Sequence, residues 1–209
     1  ADRCYGRVGA RDNQNYKVTA YQGEDFGLKS KRLTSLVPEN LSGYWIKKWS
    51  SSKADLFNYK SGVAALGESP FPMMRVAELY LIAAEAWNEY EGPGKNAYDN
   101  LNVVRKRAGI PDVEESWEMA RDKGKYKRQD GLREIIQREW NIEFAFEGYR
   151  FWNVRRWKTA PMELNDKLYG WNVAGNTAQK FYNGGRPIVV KSDNKFVAPR
   201  DYFWPIRSE

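Results

Sequence analysis

The stretch that most constrains this chain runs from Asp130 to Trp157, DGLREIIQREWNIEFAFEGYRFWNVRRW. Wound as a helix at about 100° per residue, Leu132, Ile135, Ile136, Trp140, Ile142, Phe144 and Phe146 form one broad apolar arc. Glu139 and Glu143 fall in the middle of that arc, with Glu147 close by, while Arg133, Glu134, Gln137, Arg138 and Asn141 take the opposite face. A carboxylate aimed into a core costs on the order of 2–5 kcal/mol unless a cation or hydrogen-bond donors meet it. The rest of the chain must therefore supply cations for these three glutamates.

Histidine is absent from all 209 residues. Ser-His-Asp and Cys-His catalysis are thereby excluded, as are the usual zinc sites and the Glu-x-x-His di-iron pattern. No metal or cofactor is expected. An enzyme built on this chain would have to work with carboxylates, Lys, Tyr or Arg. One cysteine permits no internal disulfide. No run of about 18 apolar residues is present, so no transmembrane helix is expected. The net charge of +7 comes from basic and acidic residues that are interspersed rather than blocked, which reads as a solvated surface with a positive excess. Nine Trp and thirteen Tyr are unusual; such residues fill cores but also make flat stacking platforms for sugars or bases.

Up to about Pro72 no helical period is sustained, and only short strands near Tyr16–Tyr21 and Tyr44–Trp49 are expected. Pro70 and Pro72 then lead into a helix over Met74–Glu91, whose apolar residues Val76, Leu79, Tyr80, Ala83, Ala86, Trp87 and Tyr90 repeat at three and four. That stripe is expected to be core. Gly92-Pro93-Gly94 stops it, and Asn96 is placed to cap a second helix, Ala97–Ala108, with the stripe Ala97, Leu101, Val104 and Ala108. So short a turn makes the two an antiparallel hairpin. Arg105 and Arg107 flank the second stripe and are the first candidates to meet Glu139 and Glu143.

Val113–Gln129 reads as loop with a short helix around Glu114–Arg121. The central helix runs to Glu147, where Gly148 breaks it, and Tyr149–Trp157 adds further turns carrying Arg150 and Arg155. A short helix from Pro161 to about Tyr169, a loop over Gly170–Gly185, a strand at Ile188–Val190 and an aromatic tail over Phe196–Ile206 complete the expectation.

MRVAELYLIAAEAWN (Met74–Asn88) followed by AYDNLNVVRKRAG (Ala97–Gly109) resembles the helix pair of the SusD/RagB family. IIQREWNIEFAFEGYRFWNVRRW (Ile135–Trp157) resembles that family's next signature, and YFWPI (Tyr202–Ile206) its closing segment. The resemblance implies a mainly α fold: a tetratricopeptide-like helix hairpin, further helices, long irregular loops and minor β structure. It also implies a surface-exposed, lipid-anchored outer-membrane protein that captures glycans, or in some members peptides. Its expected partners are a TonB-dependent, SusC-like transporter and the amino-terminal half of the same protein. Cys4 is not the first residue, as a lipidated cysteine would be, and family members are much longer. The chain is expected to correspond to their carboxy-terminal half. Residues 1–72 are expected to be an irregular segment packed on a helical region over 73–209.

Two readings compete at the glutamates. Paired carboxylates serve glycosidases, but they act across a sugar, about 5–10 Å apart, in an open cleft; two on one inward stripe are poorly placed for that. The expectation is structural ion pairing of Glu139, Glu143 and Glu147 with Arg105, Arg107, Arg150 or Arg155. Aromatics from Phe144 to Trp157, interleaved with arginine, suggest Arg-on-Trp stacking. Ligand contacts are expected from loop aromatics with polar neighbours: Tyr44, Trp45 and Trp49, and Tyr169 and Trp171 beside Asn172. The resulting expectation is a non-catalytic glycan-capture protein. Its rivals are a carboxylate-based glycoside hydrolase and a helical-repeat peptide-binding module; nucleic acid is not an expected partner.

Overall fold

The computed structural model describes residues 21–23, 42–44, 46, 48 and 72–203. Tyr16–Ala20, Trp45, Trp49 and 204–206 of the expected strands and tail lie outside the described residues, and Tyr44 and Ile46 are not in a strand. The chain divides into two compact units, Pro70–Asn153 and Ala1–Ser69 with Val154–Glu209.

In the first unit, α1 (Val76–Glu91) and α2 (Lys95–Arg107) form the hairpin, turned by Gly92 (φ 83) and Gly94. The cap of α2 is Gly94, not Asn96, which lies inside the helix and bonds Glu91 with its amide. A short α3 (Val113–Glu118) and a 3-10 turn (Lys125–Lys127) lead into α4 (Gln129–Glu143), which packs against α1. The core is Leu81 and Ala84 from α1, Ala97, Leu101 and Val104 from α2, Val113, Tyr126, and Leu132, Ile135, Ile136, Trp140 and Phe144. Each buried aliphatic side chain contributes about 1.5–3 kcal/mol.

The α1 stripe expected in the core is not there. Val76 is 66% exposed, Leu79 55% and Tyr90 82%, and the buried side is instead Leu81, Ala84 and Asn88. α1 is apolar on both sides, so periodicity alone cannot choose between them. The choice is made by Asn88, which donates to the Gln129 carbonyl at 3.0 Å and whose own carbonyl accepts from the Gln129 side chain at 2.7 Å. This exchange ties the end of α1 to the start of α4.

Helix α4 stops at Glu143, four residues short of the expected Glu147. Phe144 leaves helical geometry (φ −104, ψ 19) and Phe146 takes a left-handed conformation (φ 64). The turn buries Phe144 and leaves Ile142 and Phe146 exposed, correcting the outer part of the expected arc. At the helix end the Glu143 carbonyl, one of the acceptors an α-helix leaves unpaired, receives Nη2 of Arg75 at 3.0 Å. α5 (Tyr149–Arg156) follows.

The second unit holds α6 (Ala160–Leu164), β1 (Leu168–Gly170), α7 (Ala178–Tyr182) and β2 (Ile188–Lys191). The strands pair antiparallel with Tyr169 opposite Val189 and Gly170 opposite Ile188. β1 occupies the end of the segment expected as helix, and α7 lies within the one expected as loop. Val154, Ala160 and Phe196 are buried together, with Leu164 and Tyr202 packed against them. Among the described residues no helix is long and apolar enough to cross a membrane.

Candidate functional site

Two constellations carry the polar and aromatic residues singled out by the sequence. In the first unit the three glutamates meet three arginines. The Arg105 guanidinium, itself buried, hydrogen-bonds Glu139 through Nη1, the Pro111 carbonyl through Nε at 2.9 Å and Ser116 Oγ through Nη2 at 2.6 Å. Arg107 Nη2 bonds Glu143 Oε2 at 2.6 Å. Arg75 bonds the other oxygen of Glu143 at 2.6 Å and both oxygens of Glu147 at 2.8 Å. The same guanidinium lies 4.3 Å from the Phe144 ring centroid, in a cluster of Trp140, Phe144 and Tyr149.

Arg75, counted into the expected helix from Met74, instead precedes α1 in extended backbone. Arg150 is exposed, and Arg155 lies over the Phe196 ring at 5.5 Å. Arg156 is over Trp157 at 5.3 Å. Next to the Arg75 group the Tyr149 hydroxyl donates to Glu78 at 2.7 Å. Burial, then that carboxylate, pushes its pKa up to about 12. A carboxylate gripped by guanidinium nitrogens has its lone pairs committed, which leaves this centre poorly suited to proton transfer.

The second constellation is aromatic. β1 ends at Gly170, and the next residue, Trp171, donates its backbone N–H to the Ser42 carbonyl at 2.9 Å. That contact sets Tyr44 against Trp171, with ring centroids 5.9 Å apart. Gly43 between them has φ 73, and a Cβ there would come within 2.8 Å of both Phe181 and Trp171. Thr177 caps α7 by accepting from the Lys180 N–H, which presents Phe181 inward and Tyr182 against Trp171, 5.2 Å away edge-on. Tyr21 closes the group, 5.2 Å from Phe181 and 6.2 Å from Tyr182. Its neighbour Gln22 bonds the Gly175 carbonyl.

Of the six aromatic-site candidates, Tyr44 and Trp171 are thus brought together, and Tyr44 is 52% exposed. Asn172 is near, but its amide donates to the Lys180 carbonyl at 3.3 Å and its backbone N–H to Phe181, so it holds the loop. Tyr169 is exposed on β1 opposite Val189. Trp45 and Trp49 lie outside the described residues. Tyr21, Phe181 and Tyr182 were not anticipated; the Phe-Tyr pair three residues after a Thr-Ala helix start was the available signal. Exposed ring faces of this kind stack on the apolar C–H faces of sugars. Among the described residues no group of His, Cys, Asp and Glu is placed to hold a metal ion.

Comparison with known proteins agrees with this architecture. The SusD family profile matches residues 3–209. SusD-like protein P25 of Formosa agariphila is 40% identical over 119 residues, covering 57% of this chain and 21% of that protein. SusD-like protein P2 of the same organism is 32% identical over 133 residues, 64% of this chain and 22% of the relative. The crystal structure of a SusD-like protein from Bacteroides fragilis superposes with a TM-score of 0.52 at 33% identity, over 78% of this chain and 27% of that one. The matches therefore span about a fifth to a quarter of the relatives' lengths. The mostly helical fold, the small two-stranded sheet and the profile match over nearly every residue place this chain in the SusD family.

Proposed function

We propose that this chain belongs to a non-catalytic capture protein that binds oligosaccharide or polysaccharide at the cell surface for delivery to a TonB-dependent, SusC-like transporter. The whole protein is then held at the outer membrane by an amino-terminal lipid. The observation that carries the binding reading is the Tyr44–Trp171–Tyr182 ring cluster, anchored from below by Phe181 and open at Tyr44. Family membership supports it. The absence of catalysis is supported by the arginine grip on Glu139, Glu143 and Glu147, which suits those residues to fixing helix packing. The exposed apolar stripe of α1 supports a further partner, the remaining part of a longer protein, because Val76, Leu79, Ala86 and Tyr90 form a face on which other helices can pack. The test is affinity electrophoresis through gels containing a panel of polysaccharides. Retardation by at least one of them that is lost in the Tyr44→Ala/Trp171→Ala variant, with thermal unfolding unchanged, is the expected result. Retardation that survives the double substitution removes these rings from the site.

A further inference from the structure

The ring cluster sits in a segment with an unusual charge pattern. Between Asp166 and Asp193 the only charged residues are Lys167, Lys180, Arg186 and Lys191. All four side chains are exposed. Among the described residues none of the four is in an ion pair, unlike Lys127 with Glu118, Arg128 with Asp122, Arg133 with Glu89 and Arg200 with Asp201.

Two of these cations, Lys180 and Arg186, flank the ring-bearing residues Phe181 and Tyr182. Lys180 immediately precedes Phe181 in α7, and its carbonyl accepts from Asn172 next to Trp171. Arg186 closes the turn that follows Tyr182, with its N–H bonded to Asn183 at 3.2 Å. Lys191 is the register partner of Leu168, so Lys167 and Lys191 sit at the same end of the two-stranded sheet whose other end delivers Trp171. One unpaired surface cation carries no information. Lys180 and Arg186, in an acid-free stretch that also supplies Trp171, Phe181 and Tyr182, create a positive field beside the stacking faces, with Lys167 and Lys191 at the far end of the sheet.

We propose that the glycan this site takes is anionic, bearing uronate carboxylates or sulfate esters, with ring faces on Tyr44, Trp171 and Tyr182 and its charges met by Lys180 and Arg186. The proposal rests on the glycan-capture reading and narrows its substrate class. A neutral glycan gains nothing from this field, while a polyanion gains Coulomb attraction and releases counterions, a contribution that salt removes. Arg186 adds paired N–H donors suited to a carboxylate or sulfate.

The test uses polymers that differ in charge on the same backbone: polygalacturonate against its methyl ester, and dextran sulfate against dextran, with single-stranded oligo-dT as a second polyanion. Affinities are measured at low salt and at 0.5 M sodium chloride, a roughly threefold shorter screening length than at 0.05 M. The expected result is preference for a charged glycan over its neutral partner. At high salt, affinity should fall about ten-fold or more. Lys180→Ser/Arg186→Ser should cost at least about ten-fold, and the charge-matched control Arg121→Ser/Lys123→Ser, in the other unit, less than about two-fold.

Equal losses in the two double variants would reduce the effect to net charge and overturn the site. Neutral polymers bound as well as charged ones would overturn the anionic preference while leaving glycan capture standing. Tighter binding of oligo-dT than of any glycan would replace the proposal with a nucleic-acid site. No retention on any glycan, in this panel or the neutral one, would remove the capture reading itself.

Discussion

Arg75 holds Glu147 at two points, with Nε 2.8 Å from one carboxylate oxygen and Nη2 2.8 Å from the other. Its remaining nitrogen reaches Glu143, and its flat face covers Phe144. Removing this one side chain strips a partner from two carboxylates whose side chains are only 11% and 6% exposed. Arg75→Met should therefore cost about 3–5 kcal/mol in chemical denaturation. Arg107→Met should cost less than about 1 kcal/mol, because that guanidinium is 60% exposed and Glu143 keeps Arg75. Equal effects of the two would show that the central grip is not on Arg75.

Arg105 and Glu139 are the most buried pair, at 7% and 11% side-chain exposure. Breaking one side leaves a buried charge, so Arg105→Met should destabilise by about 3–5 kcal/mol. Arg105→Met/Glu139→Leu should recover most of that loss, since an apolar pair needs no counter-charge. A double variant as unstable as the single one would point to the Pro111 and Ser116 hydrogen bonds as the main contribution.

A close approach of backbone to backbone occurs at Gly131, where a Cβ would stand 2.1 Å from the Lys125 carbonyl oxygen. Gly131→Ala must push the 3-10 turn off α4 and should cost about 1–3 kcal/mol. At Gly124 the nearest atom is the mobile end of Arg128, 3.7 Å away, so Gly124→Ala should change stability by less than about 0.5 kcal/mol. Urea denaturation of both variants checks the contrast.

Tyr149 ties stability to alkaline pH. Its phenol, ordinarily near 10.0, is pushed up to about 12 by burial and then by Glu78. Because the folded state keeps the proton more tightly, the stability this provides is complete below the unfolded value. It is lost as pH rises from there to about 12. The gap in unfolding free energy between the wild type and Tyr149→Phe should be constant up to the ordinary phenol value and shrink above it. A gap that stays constant throughout would place the Tyr149 proton outside the folding equilibrium.

The sequence carried the helix pair and the inward glutamates because Leu101, Ile135, Ile136 and Trp140 share single faces, and a carboxylate among them demands a cation. Arg105 was readable for the same reason: it lies on a helix facing α4. Arg75 was not: counted into a helix from Met74, it instead sits in extended backbone just before α1, which turns its side chain off the helical period (φ −125, ψ 141). The two-sided apolar character of α1 left its orientation to a tertiary exchange between Asn88 and Gln129. In the aromatic cluster, Tyr44 and Trp171 could be named as exposed rings with polar neighbours. Their meeting runs through a backbone bond from Trp171 to Ser42 across a long sequence gap, which local patterns cannot carry.

The central claim is that the acids of α4 fix packing while rings elsewhere meet the glycan. It is tested most directly by measuring polysaccharide binding and newly formed reducing ends on the same samples of wild type, Glu143→Gln and Tyr44→Ala/Trp171→Ala. The account predicts no new reducing ends in any sample, binding retained in Glu143→Gln despite a lower melting temperature, and binding lost in the ring variant. Reducing ends that appear in the wild type and vanish in Glu143→Gln would contradict it and identify a hydrolase.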